Sequence, residues 1–177
     1  MARTRRMTIK QAQEYLEGLS KMVNDFNKEF IERLSDEGLE VARMEYSSAP
    51  YSGVNDVSVD VEYKGEGNRY TAKIKASGTA VLFIEFGTGI FHDSNDEERA
   101  MVEKGNVLKH GEYGYGLAKN GAWTYTGEMG SNPPEGTTKL KNGKVWTTGN
   151  EPTPAMYDAR KKIMDIYIHV AKEVFKL

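Results

Sequence analysis

The chain has no cysteine. Disulfide frameworks, thiolate nucleophiles and cysteine-ligated zinc are therefore excluded. Neither sign of charge dominates, because 24 Lys and Arg stand against 26 Asp and Glu, for a net charge of −2. A duplex nucleic-acid binder leaves a basic footprint, and none is present. The one basic cluster, Arg3, Arg5 and Arg6, lies at a terminus, where disorder is the default. No apolar run approaches the roughly 20 residues of a membrane span. Nor is the positively charged start followed by the apolar segment of a secretory signal. These absences lead us to expect a soluble protein of a cytosol-like medium, with no membrane partner and no specific nucleic acid. The length suits a single domain, 1–177, with 1–7 as a flexible start.

The most informative stretch that is present is Val81-Leu82-Phe83-Ile84-Glu85-Phe86, followed by Gly87-Thr88-Gly89. A short apolar run rich in aromatic and branched residues and bounded by glycines reads as a mostly buried strand. Glu85 is out of place there, since burying a carboxylate without partners is costly. It must sit at an edge, pair with a cation, or accept hydrogen bonds from backbone amides. The glycines point to a turn or a close approach that a side chain would forbid.

Around this stretch the chain divides cleanly. Thr8 and Gln11 have capping-box spacing, and Ile9, Ala12, Leu16, Leu19, Val23, Phe26 and Phe30 then follow at alternating threes and fours. That is one apolar stripe of a long amphipathic helix. Ser35-Asp36-Glu37-Gly38 resembles a restart, which places a break near Ser35 and a second helical piece through Leu39, Ala42 and Tyr46, ending before Ala49-Pro50. After the turn at Tyr51-Ser52-Gly53 the period becomes two. Val57, Val59, Val61 and Tyr63 alternate with polar residues, and Tyr70, Ala72, Ile74 and Ala76 return. With the Val81–Phe86 run this predicts an antiparallel meander of three or more strands.

From 92 to 149 no period is sustained, and the stretch reads as an extended, mobile loop insertion with short strands near Ala122–Thr126 and Lys144–Thr148. Thr153 as N-cap and Pro154 at the first helical position open a final helix, 153–177. Its stripe is Met156, Ala159, Ile163, Ile166, Val170 and Val174. Helix, meander, loop and a last helix packed on the sheet make an α+β fold.

Candidates for chemistry are few. His92, Asp93, Asp96 and Glu97 crowd one loop, but the spacing matches neither an EF-hand nor a helical His-Glu-x-x-His site. A metal-dependent hydrolase built on this loop is one alternative. His110 and His169 stand alone. Gly87-Thr88-Gly89 lacks the lysine and the spacing of a phosphate loop. The aromatics Tyr113, Tyr115, Trp123 and Tyr125 could stack bases as single-strand binders do, a second alternative, although only Lys109 and Lys119 are near. Loop packing or a protein contact suits them better, and the same holds for His92 and Trp146. No catalytic set and no cofactor are expected.

Three separated segments resemble the tail-completion or head–tail joining family of long-tailed bacteriophages. Val41-Ala42-Arg43 through Ala49-Pro50-Tyr51-Ser52-Gly53 resembles the passage from a helix into the strands. Ile84-Glu85-Phe86-Gly87-Thr88-Gly89 is similar to the family's Glu-Phe-Gly-Thr signature. Pro152-Thr153-Pro154-Ala155-Met156 resembles the turn that opens the last helix. The 92–149 stretch is longer and more aromatic than the family's usual loop.

The resemblance implies a non-enzymatic virion component, made in a bacterial cytoplasm and residing at the head–tail interface. It implies a ring of copies contacting head connector or stopper proteins and tail tube or tail terminator proteins. The residues it singles out are Glu85, Phe86, Gly87, Thr88, Gly89, Pro50, Gly53 and Pro154. On this reading the 92–149 insertion is an assembly element ordered by its neighbours.

Overall fold

A computed structural model describes residues 7–67, 69–89 and 122–176. The class is α+β, with a long N-terminal helix, antiparallel strands and a C-terminal helix. Helix α1 runs from Ile9 to Ser48, 40 residues or about 60 Å at the α-helical rise. Its start is the capping box: Thr8 Oγ1 accepts from the Gln11 amide at 3.3 Å, and Gln11 Oε1 accepts from the Thr8 amide at 3.0 Å.

The expected break near Ser35 does not occur. Instead of capping a new helix, the buried Ser35 hydroxyl donates back to the Glu32 carbonyl at 2.9 Å and lies 3.0 Å from the Tyr63 hydroxyl. Gly38 serves packing, not restart. A Cβ there would lie 2.6 Å from Ile163 of the last helix and 3.0 Å from Ile74 of the hairpin, so its absence lets both close on α1.

Strands β1, Ser58–Glu66, and β2, Arg69–Ser77, form the predicted hairpin. Val59, Val61 and Tyr63 pair with Ala76, Ile74 and Ala72 on the inner face, while Asp60 and Glu62 oppose Lys75 and Lys73 on the outer one. Tyr63 and Tyr70 stack at 5.9 Å, and the Tyr70 hydroxyl donates to Glu32 at 2.9 Å, tying the hairpin tip to α1. Acid–base alternation across a hairpin is legible from sequence because opposite residues must meet.

The third strand of the expected meander is instead a helix. Residues Val81–Glu85 form the short α2, with the Ile84 amide donating to Ala80 O and Phe86 to Leu82 O. The carboxylate of Asp56 explains how the turn starts. It accepts from the amides of Thr79 at 2.8 Å and Ala80 at 2.9 Å, fixing the backbone just ahead of α2. Those amide bonds hold the Asp56 pKa down at about 2. With α2 turned out of the sheet, the hairpin stays two-stranded.

The second half of the 92–149 insertion is not structureless. Strands β4, Trp123–Thr126, and β6, Lys144–Thr147, lie where short strands were expected, and they pair with each other. β5, Thr138–Lys139, adds to the other edge of β6. Two residues on each side, β3, Thr88–Gly89, and β7, Gly149–Asn150, close a further ladder. Residues 90–121 lie outside the described part.

The last helix, α3, spans Ala155–Phe175. It begins one residue later than the Thr153 cap predicts, with Pro154 in the N-cap place and no side-chain cap of its own. Instead of lying on the sheet as expected, α3 packs chiefly along α1 and runs antiparallel to it: Ala155 and Ala159 join Ala42 and Tyr46 in one cluster, Val170 and Val174 join Leu34 in the other. Phe175 closes the seam against Phe26 and Phe30, with ring centroids 6.0 and 5.7 Å away.

Beyond Phe26 toward its N-terminus, α1 projects past α3 with Gly18 in its middle. A Cβ at Gly18 would meet nothing within 4 Å. Gly18→Ala is therefore expected to favour the helix by about 0.5–1 kcal/mol. Greater helical ellipticity and slower amide exchange across residues 14–22 would register it; unchanged exchange there would refute it.

Candidate functional site

Glu85 and Tyr46 each bring an obligation into the core. A buried carboxylate needs partners, and a buried tyrosine needs one for its hydroxyl. Glu85 is only 6% exposed and Tyr46 2%, and the two meet: the Tyr46 hydroxyl donates to Glu85 Oε2 at 2.8 Å. The Met156 amide donates to both carboxylate oxygens, each at 3.2 Å.

Met156 is the second residue of α3, so its N–H is one of the donors a helix cannot satisfy internally. Glu85 is thus the N-cap that Pro154 cannot be, supplied from α2. A carboxylate at that end also faces the positive end of the helix dipole. Of the three ways to accommodate Glu85, the protein uses backbone amides, and adds Tyr46.

The electrostatics follow from burial. Desolvation raises the Glu85 pKa; the Tyr46 hydroxyl and the Met156 and Tyr157 amides pull it down, and Asp158 pushes it up, with a net rise. Burial first, then the charge of Glu85, drives the Tyr46 pKa far upward, so Tyr46 stays a proton donor.

Neighbouring contacts lock the same joint. The Thr153 amide donates to Ile84 O at 2.8 Å, and Asn150 Nδ2 donates to Phe83 O at 3.1 Å. Gly87 has φ +68°, and a Cβ on it would lie 2.8 Å from Pro152 N and 2.9 Å from Asn150 O. Thr88 and Gly89 then pair with Asn150 and Gly149. Tyr51 stacks on Phe83 at 6.2 Å. Phe86 is buried beside Glu85, Pro50 is exposed just after the α1 C-cap, and Pro154 is half-buried at the start of α3.

Gly53 belongs to a second junction, where the insertion returns to the core. Here the Tyr51 amide donates to Asn132 O at 2.8 Å and Gly130 to Ser52 O at 2.9 Å. The Tyr125 hydroxyl also donates to Ser52 O. Tyr125 is thereby committed within the chain. Trp146 is half-buried in β6 opposite Thr124 and Thr138, and Trp123 pairs through its backbone with Thr147.

His92, Asp93, Asp96, Glu97, His110, Tyr113 and Tyr115 lie outside the described residues. His169 is not alone: its Nε2 lies 3.1 Å from Glu173 one turn on. Among the described residues, no three His, Asp or Glu side chains are grouped to hold a metal ion. Compared with known proteins, the chain matches no family model, no curated protein and no solved structure.

Proposed function

We propose that this chain is a structural component of a long-tailed phage virion, acting in tail completion at the head–tail junction. There it forms a ring with copies of itself, between head connector or stopper proteins and tail tube or tail terminator proteins. One observation carries the reading: the three separated segments that resemble the head–tail joining family touch one another. Tyr46 from the first and Met156 from the third both bond Glu85 of the second, and Gly87 abuts Pro152. Residues so far apart in the chain yet meeting at one buried point form a single joint. That meeting supports reading the resemblance as one to a single working part of a fold with a mechanical role. Both oxygens of Glu85 are spent on joining helices, as suits an assembly protein.

Deleting the gene from a tailed phage that carries it is expected to leave filled heads and finished tails that do not join. Supplying the chain in trans should restore infectious particles. Normal particles without the chain would refute the reading.

A further inference from the structure

We infer that the projecting N-terminal part of α1, Ile9–Asp25, is a docking arm whose partner is a second copy of this chain. The surface that receives it is the flank of the neighbour's α3 around Met164 and Ile168. The inference rests on the ring reading above, and adds which surfaces of the chain meet.

The arm is about 25 Å long at the α-helical rise. Its apolar stripe, Ile9, Ala12, Leu16, Leu19 and Val23, continues in phase into Phe26, Phe30 and Leu34. On that inner part the stripe is already a helix–helix interface, covered by Val170, Val174 and Phe175 of α3. Past Phe26 most of the same face is open: Leu16 is 64% exposed, Ile9 and Val23 are exposed with it, and Ala12 and Leu19 are half-buried. A single helix with no cover is marginal in water, and an apolar face of this length is normally buried by packing.

Charge is arranged to match. All five charged residues of the arm, Lys10, Glu14, Glu17, Lys21 and Asp25, fall at steps of three and four on the side away from the stripe. The stripe itself is flanked by Tyr15 and Met22 on one edge and by Gln13, Ser20 and Asn24 on the other. A face cleared of charge and bordered by aromatic and Met side chains has the composition of a protein-interface core.

Among the described residues, the arm cannot reach the flank of its own α3. α1 is one unbroken helix from Ile9 to Ser48, so its outer part is held away from the flank of its own α3. That flank carries the second open stripe. Exposed Met164 and Ile168 and half-buried Tyr157 and Ala171 recur at steps of seven, four and three, a spacing that seats one helix along another. Met164 and Ile168 are each 53% exposed. Laying the arm of one copy on the α3 flank of the next covers both stripes in one contact. Because the two surfaces differ, the contact is heterologous, the kind that propagates around a ring. Pairing arm with arm would bury one stripe and leave the other in water.

The absence of native cysteine makes the test direct. Leu16→Cys and Ile168→Cys are prepared separately in the full chain, mixed, and oxidised at concentrations where light scattering reports association. A disulfide between the two different variants is expected, and neither variant alone should cross-link efficiently. Leu16→Glu and Ile168→Glu should each weaken self-association tenfold or more, with thermal unfolding of the core unchanged.

Cross-linking of Leu16→Cys with itself would mean arm-on-arm pairing, and would overturn the inference while leaving a self-associating virion component in place. So would association that neither glutamate disturbs. A chain that stays monomeric at every concentration, with the arm slow to exchange its amides, would show the arm covered from within and would also overturn it. The ring reading is judged separately, by whether purified particles hold multiple copies at the neck.

Discussion

Glu85→Ala is expected to lower the stability of the fold by about 2–4 kcal/mol, among the largest losses a single substitution in this chain can cause. Two costs combine. The Tyr46 hydroxyl, buried and held in its protonated form, loses its acceptor, and an unpaired buried polar group costs about 1–3 kcal/mol. α3 loses its N-cap, worth about 0.5–2 kcal/mol. Glu85→Gln keeps the shape and one acceptor oxygen, and should cost about 1 kcal/mol.

The pH dependence separates the two variants. Burial raises the folded-state pKa of Glu85 above its ordinary value, so the folded chain binds the proton more tightly than the unfolded one. The stability this group contributes is therefore fully present below the ordinary value near 4.5, and is lost as pH rises through the raised folded-state value. Wild type should thus gain on Glu85→Gln as pH is lowered toward 4.5 from above, and the gap should then level off. Urea midpoints of both proteins across that window test this. A gap that widens with rising pH would mean that the ionised form is the better held one.

Which parts of this arrangement could be read in the sequence depends on whether the determining contacts are near or far along the chain. The α1 stripe, its capping box and the alternation of β1 with β2 are set by neighbours within a few residues or by facing residues in a hairpin. Those readings hold. The Val81–Phe86 run is different, because apolar length and branching do not distinguish a buried strand from one turn of buried helix. Its conformation is decided by Asp56, more than 20 residues earlier, which binds the amides of Thr79 and Ala80. The restart near Ser35 misleads for a related reason. Ser is as able to bond back to a carbonyl within a helix as to cap a new one, and the packing of Gly38 against Ile163 and Ile74 keeps the helix continuous.

Within the site, the burial penalty alone announces that Glu85 needs donors, and backbone amides are among the anticipated ones. Tyr46 escapes notice because it occupies a core position of the α1 stripe, where its ring explains its presence. The usable signal is the pairing of one buried acid with one buried hydroxyl, when few other polar groups are buried among the described residues. Thr153 is displaced from its expected role for the same cause. A cap provided by Glu85 leaves its side chain without that task, while its amide goes to Ile84 O.

Gly87→Ala should be nearly as damaging as loss of Glu85, through sterics alone. At φ +68° an alanine pays about 1 kcal/mol for the left-handed conformation. Its Cβ would also lie 2.8 Å from Pro152 N and 2.9 Å from Asn150 O, both backbone atoms that move only if the 149–153 segment moves with them. That segment carries the Thr153–Ile84 bond and the β3–β7 ladder, and it leads directly into the capped end of α3. Relieving the clash therefore pulls Met156 from Glu85, so the strain and the lost cap add to about 2–4 kcal/mol. A double-mutant cycle with Glu85→Gln tests the link. If the glycine acts by holding the cap in place, the two losses should be clearly less than additive, since the second substitution finds the cap already displaced. Full additivity would mean that Gly87 shapes only its own turn, and that the joint between the three segments is held by Glu85 alone.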